Sequence, residues 1–403
     1  MTRLHRVLVL TFLESFATVL FERGVYFYTH ERLGFGASTN LALAAAFGAF
    51  YIVGALASHR VAHAIGEKRL ARVAIVVQLF ATALICVLPL PGVIFAAATV
   101  LGLCNGAKWP VVESYVGAGR NAQQQAQAVG YFNTAWSLAV PSSLLVTGVL
   151  VAWDPPLLQP GVGLFLFALA CNVVALFLLR PLPDRPAHLA HDHPHRPDAA
   201  RLALLRPLLT SSRWWMLASY SLLFTMAPLM PIIFANLGHG VIAATCLSAV
   251  VDVVRVIGFV VLQRWTGWHG RVWPLVLVAL LMPTGFYLVV LGPSTAAVLC
   301  GEVVFGVAAA VAYYAGLYYA VVVKNASVDA GGVHESLIGG GFLLGPLTGL
   351  AAEQIAKPLT PALGLLLGPG SLIAVCAVFG CLPLRRAAAA APPPPAPAAA
   401  PAP

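Results

Sequence analysis

Charged side chains are scarce in this chain of 403 residues. Asp, Glu, Lys and Arg make up 9% of it and hydrophobic residues 60%, whereas soluble domains carry roughly 25% charged residues. No soluble-looking block longer than residues 181–213 separates the apolar stretches. This composition excludes an ordinary soluble domain and predicts an all-α protein embedded in a lipid bilayer.

The chain also lacks the motifs of several enzyme classes. It has no GxxxxGK[ST] loop, so ATP-driven transport by this chain is unsupported. Its seven cysteines form no CxxC pair and lie within apolar stretches, which is typical of small buried side chains. Its one histidine cluster falls among prolines between residues 188 and 195, where a solvated linker is favoured over a metal site. We therefore expect no enzyme activity, no metal and no cofactor.

Long apolar windows are what the chain has instead. A membrane-spanning helix needs about 20 mostly apolar residues, and twelve windows fit that length. They are 7–29, 38–58, 71–90, 93–117, 127–152, 160–180, 214–237, 241–263, 273–292, 295–323, 332–354 and 362–384.

The basic residues predict the orientation of these helices. If both termini lie in the cytoplasm, eighteen of the 23 Lys and Arg residues fall inside, two (Arg32 and Lys357) fall outside, and three lie within helices. This bias follows the positive-inside rule and predicts a multi-pass protein of a bacterial plasma membrane. Because the basic residues are spread over short loops, they do not indicate a nucleic-acid partner.

The order of the segments suggests a duplicated protein. We expect a six-helix bundle at 1–180, a cytoplasmic His- and Pro-rich linker at 181–213, a second bundle at 214–384 and a disordered Ala/Pro tail at 385–403. An offset of 204 positions relates similar residues at equivalent places in the two bundles. The pairs are Gly54 and Gly258, Arg60 and Arg264, Gly66 and Gly270, and Gly102 and Gly306.

Twelve helices in two similar halves, with a glycine-rich basic loop after the second helix, resemble the major facilitator superfamily of secondary transporters. The loop residues that carry the likeness are Gly54, Arg60, Gly66, Lys68 and Arg69, and in the second half Gly258, Arg264 and Gly270. Ser58 stands where the family usually has an aspartate. The resemblance implies a monomer of two pseudo-symmetric six-helix bundles that carries a small solute by alternating access.

Ionisable residues inside the predicted helices are the candidates for the solute and proton site, because a charge in the bilayer must face a partner, water or the bundle interior. Asp252 and Arg255 lie three residues apart, on one face near the middle of helix eight. We expect movement of Arg255 towards an anionic solute to let Asp252 take up a proton. A static pair that only fixes helix packing is the alternative.

Helices one and four add further candidates, namely Glu14, Glu22, Arg23, Asn105 and Lys108. Lys108 needs a buried partner, either a carboxylate of helix one or the solute. Adjacent residues of a helix point about 100° apart, so we expect Glu22 and Arg23 to contact different neighbours.

The remaining polar residues of the helices are given other roles. Glu113 and Glu302 are interpreted as gating or packing residues, and Glu335 as a solvated acid at the start of helix eleven. Tyr314 and Tyr318, one turn apart, are predicted either to line a cavity or to pack inside the bundle.

These observations favour a secondary active transporter of a small anionic or zwitterionic solute that uses protonation of Asp252 or of an acid in helix one. An exporter of hydrophobic compounds and a non-transporting membrane scaffold are the alternatives. A polytopic enzyme would need a catalytic set that the helices do not offer.

Overall fold

The computed structural model describes residues 3–117, 122–186, 199–324, 328–357 and 360–390. Throughout these ranges the regular structure is helical. The first half contains α1 (Arg3–Glu22), α2 (Gly24–Leu33), α3 (Ala37–Ile65), α4 (Glu67–Val87), α5 (Pro91–Gly117), α6 (Ala122–Ala152) and α7 (Gly163–Leu179). The second half contains α8 (Ala199–Met226), α9 (Met230–Asn236), α10 (Val241–Leu247), α11 (Val250–Arg264), α12 (Trp273–Leu291), α13 (Thr295–Lys324), α14 (Val328–Ala356), α15 (Pro361–Leu367) and α16 (Pro369–Ala390).

Each of the twelve predicted windows corresponds to one helix or to two consecutive helices. Four windows are divided, into α1 and α2, α8 and α9, α10 and α11, and α15 and α16. Among the described residues, nine segments are long and apolar enough to cross a membrane, and the bent pair α8–α9 makes a tenth. The two other windows hold α7, a shorter apolar helix of 17 residues, and α14. The predicted fold class is confirmed.

The outer surface of the bundle is apolar. Large side chains on the peripheral helices point outwards, including Phe80 on α4, Leu280 on α12 and Phe379 on α16. In water such a surface would drive association, whereas hydrocarbon solvates it. Charged side chains within the spans are instead turned inwards, as Asp252 and Lys108 are. This arrangement fits a chain whose surroundings are lipid.

Two close helix contacts repeat in the two halves at the same sequence offset. A Cβ atom at Gly102 of α5 would lie 2.3 Å from the carbonyl oxygen of Phe47 in α3. A Cβ atom at Gly306 of α13 would lie 2.8 Å from the carbonyl oxygen of Val251 in α11. Gly102 and Gly306 are 204 positions apart, and so are Phe47 and Val251. The duplicated helix packing supports the predicted pseudo-symmetry of the bundles.

The loops after the second and eighth spans show the same duplication. Gly66 has a φ of +90° and Gly270 a φ of +69°, a backbone region that glycine adopts without steric cost. These two residues are also 204 positions apart. The backbone conformation at these two equivalent turns therefore requires the glycines of the predicted loop motif.

The two halves meet along α3 and α14, and along α6 with α10 and α11. We call the end of the bundle where α1 begins and α16 ends the termini side, and the other end the opposite side. On the opposite side, Ser38 of α3 donates a hydrogen bond to Glu353 of α14. Also in this interface, a Cβ atom at Gly148 of α6 would lie 2.5 Å from the Cα atom of Ile242 in α10.

Four spans are interrupted. The first divides at Arg23, the eighth at Ser248 and Ala249, and the twelfth at Gly368, and the seventh bends by 51° between α8 and α9. Helix α5 continues through Pro110 as one helix. The break at Arg23 is not marked by a proline.

The segments proposed to lie outside the bundles differ in extent from the expectation. Helix α8 begins at Ala199, so residues 199–213 of the proposed linker are helical. Helix α16 extends to Ala390, into the proposed tail. Residues 187–198, with the clustered linker histidines, and residues 391–403 lie outside the described ranges.

Candidate functional site

A cavity of about 110 Å³ lies between the two halves. Its walls come from α1, α3, α5 and α6 of the first half and from α8, α11, α13 and α14 of the second. Five charged residues line it: Glu22, Arg23, Glu113, Arg255 and Glu335. A cavity that both bundles share, with ionisable groups of both signs, is the leading candidate for a binding site.

An ion pair joins the two halves at the wall of this cavity. Arg23 donates a hydrogen bond to Asp252, and Arg255 donates another to the second oxygen of the same carboxylate at 2.9 Å. All three side chains are buried, with Asp252 only 1% exposed. The structure therefore contains the predicted pairing of Asp252 with Arg255 and adds Arg23 as a second cationic partner.

The helix breaks place these residues where they meet. Arg23 occupies the junction between α1 and α2, and Asp252 lies in the first turn of α11, directly after the junction with α10. The N-terminus of a helix favours a carboxylate because its free N–H groups carry partial positive charge. Interrupted spans whose helix ends face a central site are a recurring device of transporters.

Aromatic side chains surround Arg255. Its guanidinium carbon lies 5.6 Å from the ring centroid of Trp136, 5.9 Å from that of Tyr220 and 6.0 Å from that of Phe259. These distances fall within the range of cation–π attraction. The Nε atom of Arg255 is buried and has no acceptor among the described residues. Arg255 therefore keeps donor capacity beyond its bond to Asp252.

Two carboxyl groups from opposite halves meet at another wall of the cavity. Glu113 of α5 and Glu335 of α14 are hydrogen-bonded to each other, and the Tyr51 hydroxyl donates to Glu335 at 2.6 Å. An ionised carboxylate only accepts hydrogen bonds, so a bond between two carboxyl groups requires that at least one of them is protonated. Glu335 is buried seven residues into α14, and its interpretation as a solvated helix-start acid is wrong.

Lys108 lies in a polar cluster inside the first half, away from the cavity wall. It is 0% exposed and pairs with Glu14 of α1, which is the helix-one carboxylate that the sequence offered as its partner. Its ammonium group also donates to Gln78 at 3.1 Å, and Gln78 donates to Asn105 at 2.9 Å. Lys108, Glu14 and Asn105 therefore belong to one hydrogen-bonded cluster through Gln78, and the structure places none of them in the cavity lining.

Glu22 and Arg23 face different surroundings, as expected for adjacent residues on a helix. Arg23 bonds to Asp252, whereas Glu22 lines the cavity without a hydrogen bond or ion pair in the described part of the chain. Glu302, interpreted as a gating or packing residue, is buried on α13 within electrostatic range of Arg23 and Asp252.

Of the tyrosines on α13, the one that lines the cavity is Tyr313, one residue before the predicted Tyr314. Tyr314 and Tyr318 pack instead against Trp268, with ring centroids 5.9 Å and 5.0 Å away. Tyr318 also stacks on His269 at 4.0 Å. The structure thus favours the packing alternative for the predicted pair, because the helix turns Tyr313 rather than its neighbour towards the cavity.

The loop-motif residues lie at the termini side, outside the cavity. Ser58 donates to the carbonyl oxygen of Ala107 at 2.7 Å, which joins α3 to α5. Lys68 contacts Asp184 at 3.4 Å. The side chains of the three motif arginines are exposed: Arg60, Arg69 and Arg264. The motif glycines Gly54 and Gly258 lie at helix contacts with α5 and α13.

Residues that the sequence interpretation missed are mostly uncharged. Gln78, Trp136 and Tyr220 had no distinguishing feature within their apolar helices, because the helix face turned towards the cavity is set by packing. A cavity-facing polar residue such as Glu335 had a signal, since an acid three residues inside a predicted span requires a partner.

Comparison with known proteins agrees with this architecture. Residues 7–350 match the family model described as Major Facilitator Superfamily. A bacterial homolog of the human lysosomal transporter Spinster, solved in an inward-facing and unoccupied conformation, is similar in structure, with a TM-score of 0.69, 15% identity and coverage of 97% of this chain and 99% of that one.

Two further solved structures are similar. The D-xylose–proton symporter has a TM-score of 0.64 and 12% identity, and 96% of each chain is covered. The nucleoside transporter NupG has a TM-score of 0.64 and 13% identity, with 97% of this chain and 99% of that chain covered. No curated protein matches the chain in a sequence search. Since the family model spans well over half of its residues, this membrane-embedded chain belongs to the Major Facilitator Superfamily.

Proposed function

We propose that the chain is a secondary active transporter, which moves a small anionic or zwitterionic solute across the membrane together with proton movement. The observation that carries the proposal is the cavity between the halves, to which four helices of each half contribute. Binding sites near the midplane, between structural repeats, are the usual location in secondary transporters. A membrane scaffold would have no need of a charged cavity there.

Contacts between the halves lie on both sides of this cavity and support alternating access. Ser38 meets Glu353 on the opposite side, and Glu113 meets Glu335 nearer the termini side. Rocking one half against the other separates one set of contacts while the other set stays closed. The Arg23–Asp252 pair crosses the same interface and has to rearrange during that movement.

Proton coupling is supported by the carboxyl groups around the cavity. Displacement of Arg255 by a solute would leave Asp252 paired with Arg23, so Asp252 alone is a weaker candidate than the sequence suggested. Glu22 on α1 and the Glu113–Glu335 pair face the cavity and can exchange protons with it. The similar D-xylose–proton symporter indicates that this fold can accommodate proton coupling.

The proposed orientation has both termini in the cytoplasm of a bacterial plasma membrane. Its support is the distribution of Lys and Arg, eighteen to two in favour of the termini side. In this orientation the Glu113–Glu335 contact lies towards the cytoplasm, and the Ser38–Glu353 contact lies towards the outside.

An exporter of hydrophobic compounds is the second candidate. Aromatic side chains form much of the cavity wall, including Trp136, Phe224 and Phe342, and such walls bind apolar solutes by contact area. The two functions differ in their use of Arg255: export of a neutral apolar compound should survive Arg255→Gln, whereas transport of a solute with a carboxylate should not.

Purified protein in liposomes that contain a pH-sensitive dye tests the proposal. We expect an anionic or zwitterionic solute to move protons in the wild type, and to lose this effect in Arg255→Gln. Solute accumulation that is insensitive to a proton gradient would contradict proton coupling. If no member of a panel of charged solutes crosses the membrane, while neutral apolar compounds do, the exporter replaces the proposed function.

A further inference from the structure

The charged residues around the cavity form a cationic and an acidic group. Arg23 and Arg255 share one carboxylate, Asp252, and the carboxyl group of Glu22 lines the cavity beside them. Glu113 and Glu335 form the acidic group and hold at least one proton between them. Both groups line the same cavity. The site therefore offers a positive and a negative pole to a single solute.

The positive pole has room for another acceptor. The Nε atom of Arg255 is buried without a hydrogen-bond partner among the described residues, and the residue as a whole is only 5% exposed. A buried donor without an acceptor costs free energy. A carboxylate of the solute would supply the acceptor, and guanidinium groups bind carboxylates in a favourable planar geometry.

The negative pole presents acceptors to a donor of the solute. Glu335 already accepts from Tyr51, and its bond to Glu113 leaves further lone pairs on both carboxyl groups. An ammonium group has three donors and a full positive charge. It would supply donors to these carboxyl oxygens, whereas a carboxylate of the solute would only add further acceptors.

Two tyrosines, Tyr220 and Tyr313, line the cavity together with both poles, and their ring centroids are 6.2 Å apart. The guanidinium carbon of Arg255 lies 5.9 Å from the ring centroid of Tyr220. With the ring of Trp136, 5.1 Å from that of Tyr313, they provide an apolar wall beside the poles. The cavity volume of about 110 Å³ suits a small solute.

The geometry points to a small zwitterion of the amino-acid class as the solute, with its carboxylate on Arg255, its ammonium group on Glu113 and Glu335, and its side chain against Tyr220 and Tyr313. This inference rests on the proposed transport function and narrows it. The cations inside the spans are compatible with either an anionic or a zwitterionic solute, and this inference selects the zwitterionic one.

Two matched sets of compounds test the inference by binding, without any need for transport. One set is valine, isovalerate and isobutylamine, and the other is phenylalanine, hydrocinnamate and phenethylamine. Within each set, the second compound lacks the ammonium group of the first, and the third compound lacks its carboxylate. Binding is measured as the increase in the unfolding temperature of the detergent-purified full chain.

We expect the zwitterion of at least one set to stabilise the wild type more than either of its singly charged analogues. In Arg255→Gln, the zwitterion should stabilise the protein no more than the amine does. In Glu335→Gln, the zwitterion should stabilise it no more than the carboxylate does. Glu113→Gln serves the same purpose if Glu335→Gln fails to fold. Glu31 is an exposed acid on α2, and Glu31→Gln is the matched control. In this variant the zwitterion should still stabilise the protein more than the amine and more than the carboxylate.

The inference is overturned if, in both sets, the zwitterion stabilises the protein no more than a singly charged analogue does. A carboxylate that binds best and is transported with protons would overturn it while leaving the proposed function in place. A zwitterion that binds with the expected dependence on Arg255 and Glu335, in a protein that transports nothing, would support the binding inference and contradict the proposed function.

Discussion

Arg23 of the first half and Asp252 of the second form a buried ion pair across the interface between the two bundles. Each residue lies at or directly after a break in its own span. At these breaks the two side chains approach one another inside the bundle, where they are buried and do not contact lipid. The pair therefore connects the two bundles at the wall of the cavity.

Neutralising Asp252 should destabilise the protein. Asp252→Asn leaves Arg23 and Arg255 buried without their carboxylate, and removal of one partner from a buried pair costs about 3–5 kcal/mol. The unfolding temperature in detergent should fall, and the double variant Asp252→Asn/Arg23→Gln should recover part of the loss. Equal unfolding temperatures for the wild type and Asp252→Asn would contradict an energetic role for the ion pair.

Lys108 and Glu14 should act as a structural pair. Lys108→Met alone leaves Glu14 buried without its cation, and we expect a destabilisation of about 3–5 kcal/mol. The double variant Lys108→Met/Glu14→Gln should be more stable than the single variant and should retain solute binding, because neither residue lines the cavity. Loss of solute binding in a folded double variant would instead place Lys108 in the solute site.

Glycine positions test the duplicated packing. Gly102→Ala and Gly306→Ala should both lower the unfolding temperature, because each added methyl group meets a backbone carbonyl oxygen, at 2.3 Å and 2.8 Å respectively. Gly92→Ala in α5 is the control, since its Cβ atom meets nothing within 4 Å. A Gly306→Ala variant as stable as Gly92→Ala would contradict the equivalence of the two contacts.

Two tyrosines of α13 test whether a residue lines the solute site or only packs against other helices. Tyr313→Leu should raise the KM for the transported solute, because the ring of Tyr313 lines the cavity. Tyr318→Leu should leave the KM of the folded protein unchanged, because Tyr318 packs against Trp268 and His269. Measurement of initial transport rates over a range of solute concentrations distinguishes the two. An equal rise in KM for both variants would mean that the cavity is not the solute site.

The shared proton should be lost when either member of the carboxyl pair is replaced. We expect Glu113→Gln and Glu335→Gln to abolish solute-dependent proton movement in liposomes, since glutamine cannot release a proton to the cavity. Exposed Glu31 again provides the control, and Glu31→Gln should retain the proton movement. If Glu113→Gln and Glu335→Gln both move protons with the solute as the wild type does, the pair is not part of the coupling.

The sequence predicted the number, order and duplication of the spans because these follow from length, hydropathy and repeated glycines. It predicted the contact between Asp252 and Arg255 because residues three apart share a helix face. It could not predict the approach of Arg23, 229 positions away from Asp252, since contacts between helices depend on how each helix is rotated about its axis. The same limit explains why Tyr314 was chosen over Tyr313 and why Glu335 was considered solvated.

Alternating access of the two halves is the central claim, and distances between spin labels on both sides of the cavity test it directly. One pair is Ser38 and Glu353 on the opposite side, and the other is Gln127 of α6 and Gln263 of α11, towards the termini side. The account predicts that addition of the transported solute or a change of pH lengthens one distance while it shortens the other. Distances that change in the same direction, or that stay constant while the labelled protein transports its solute, would contradict it.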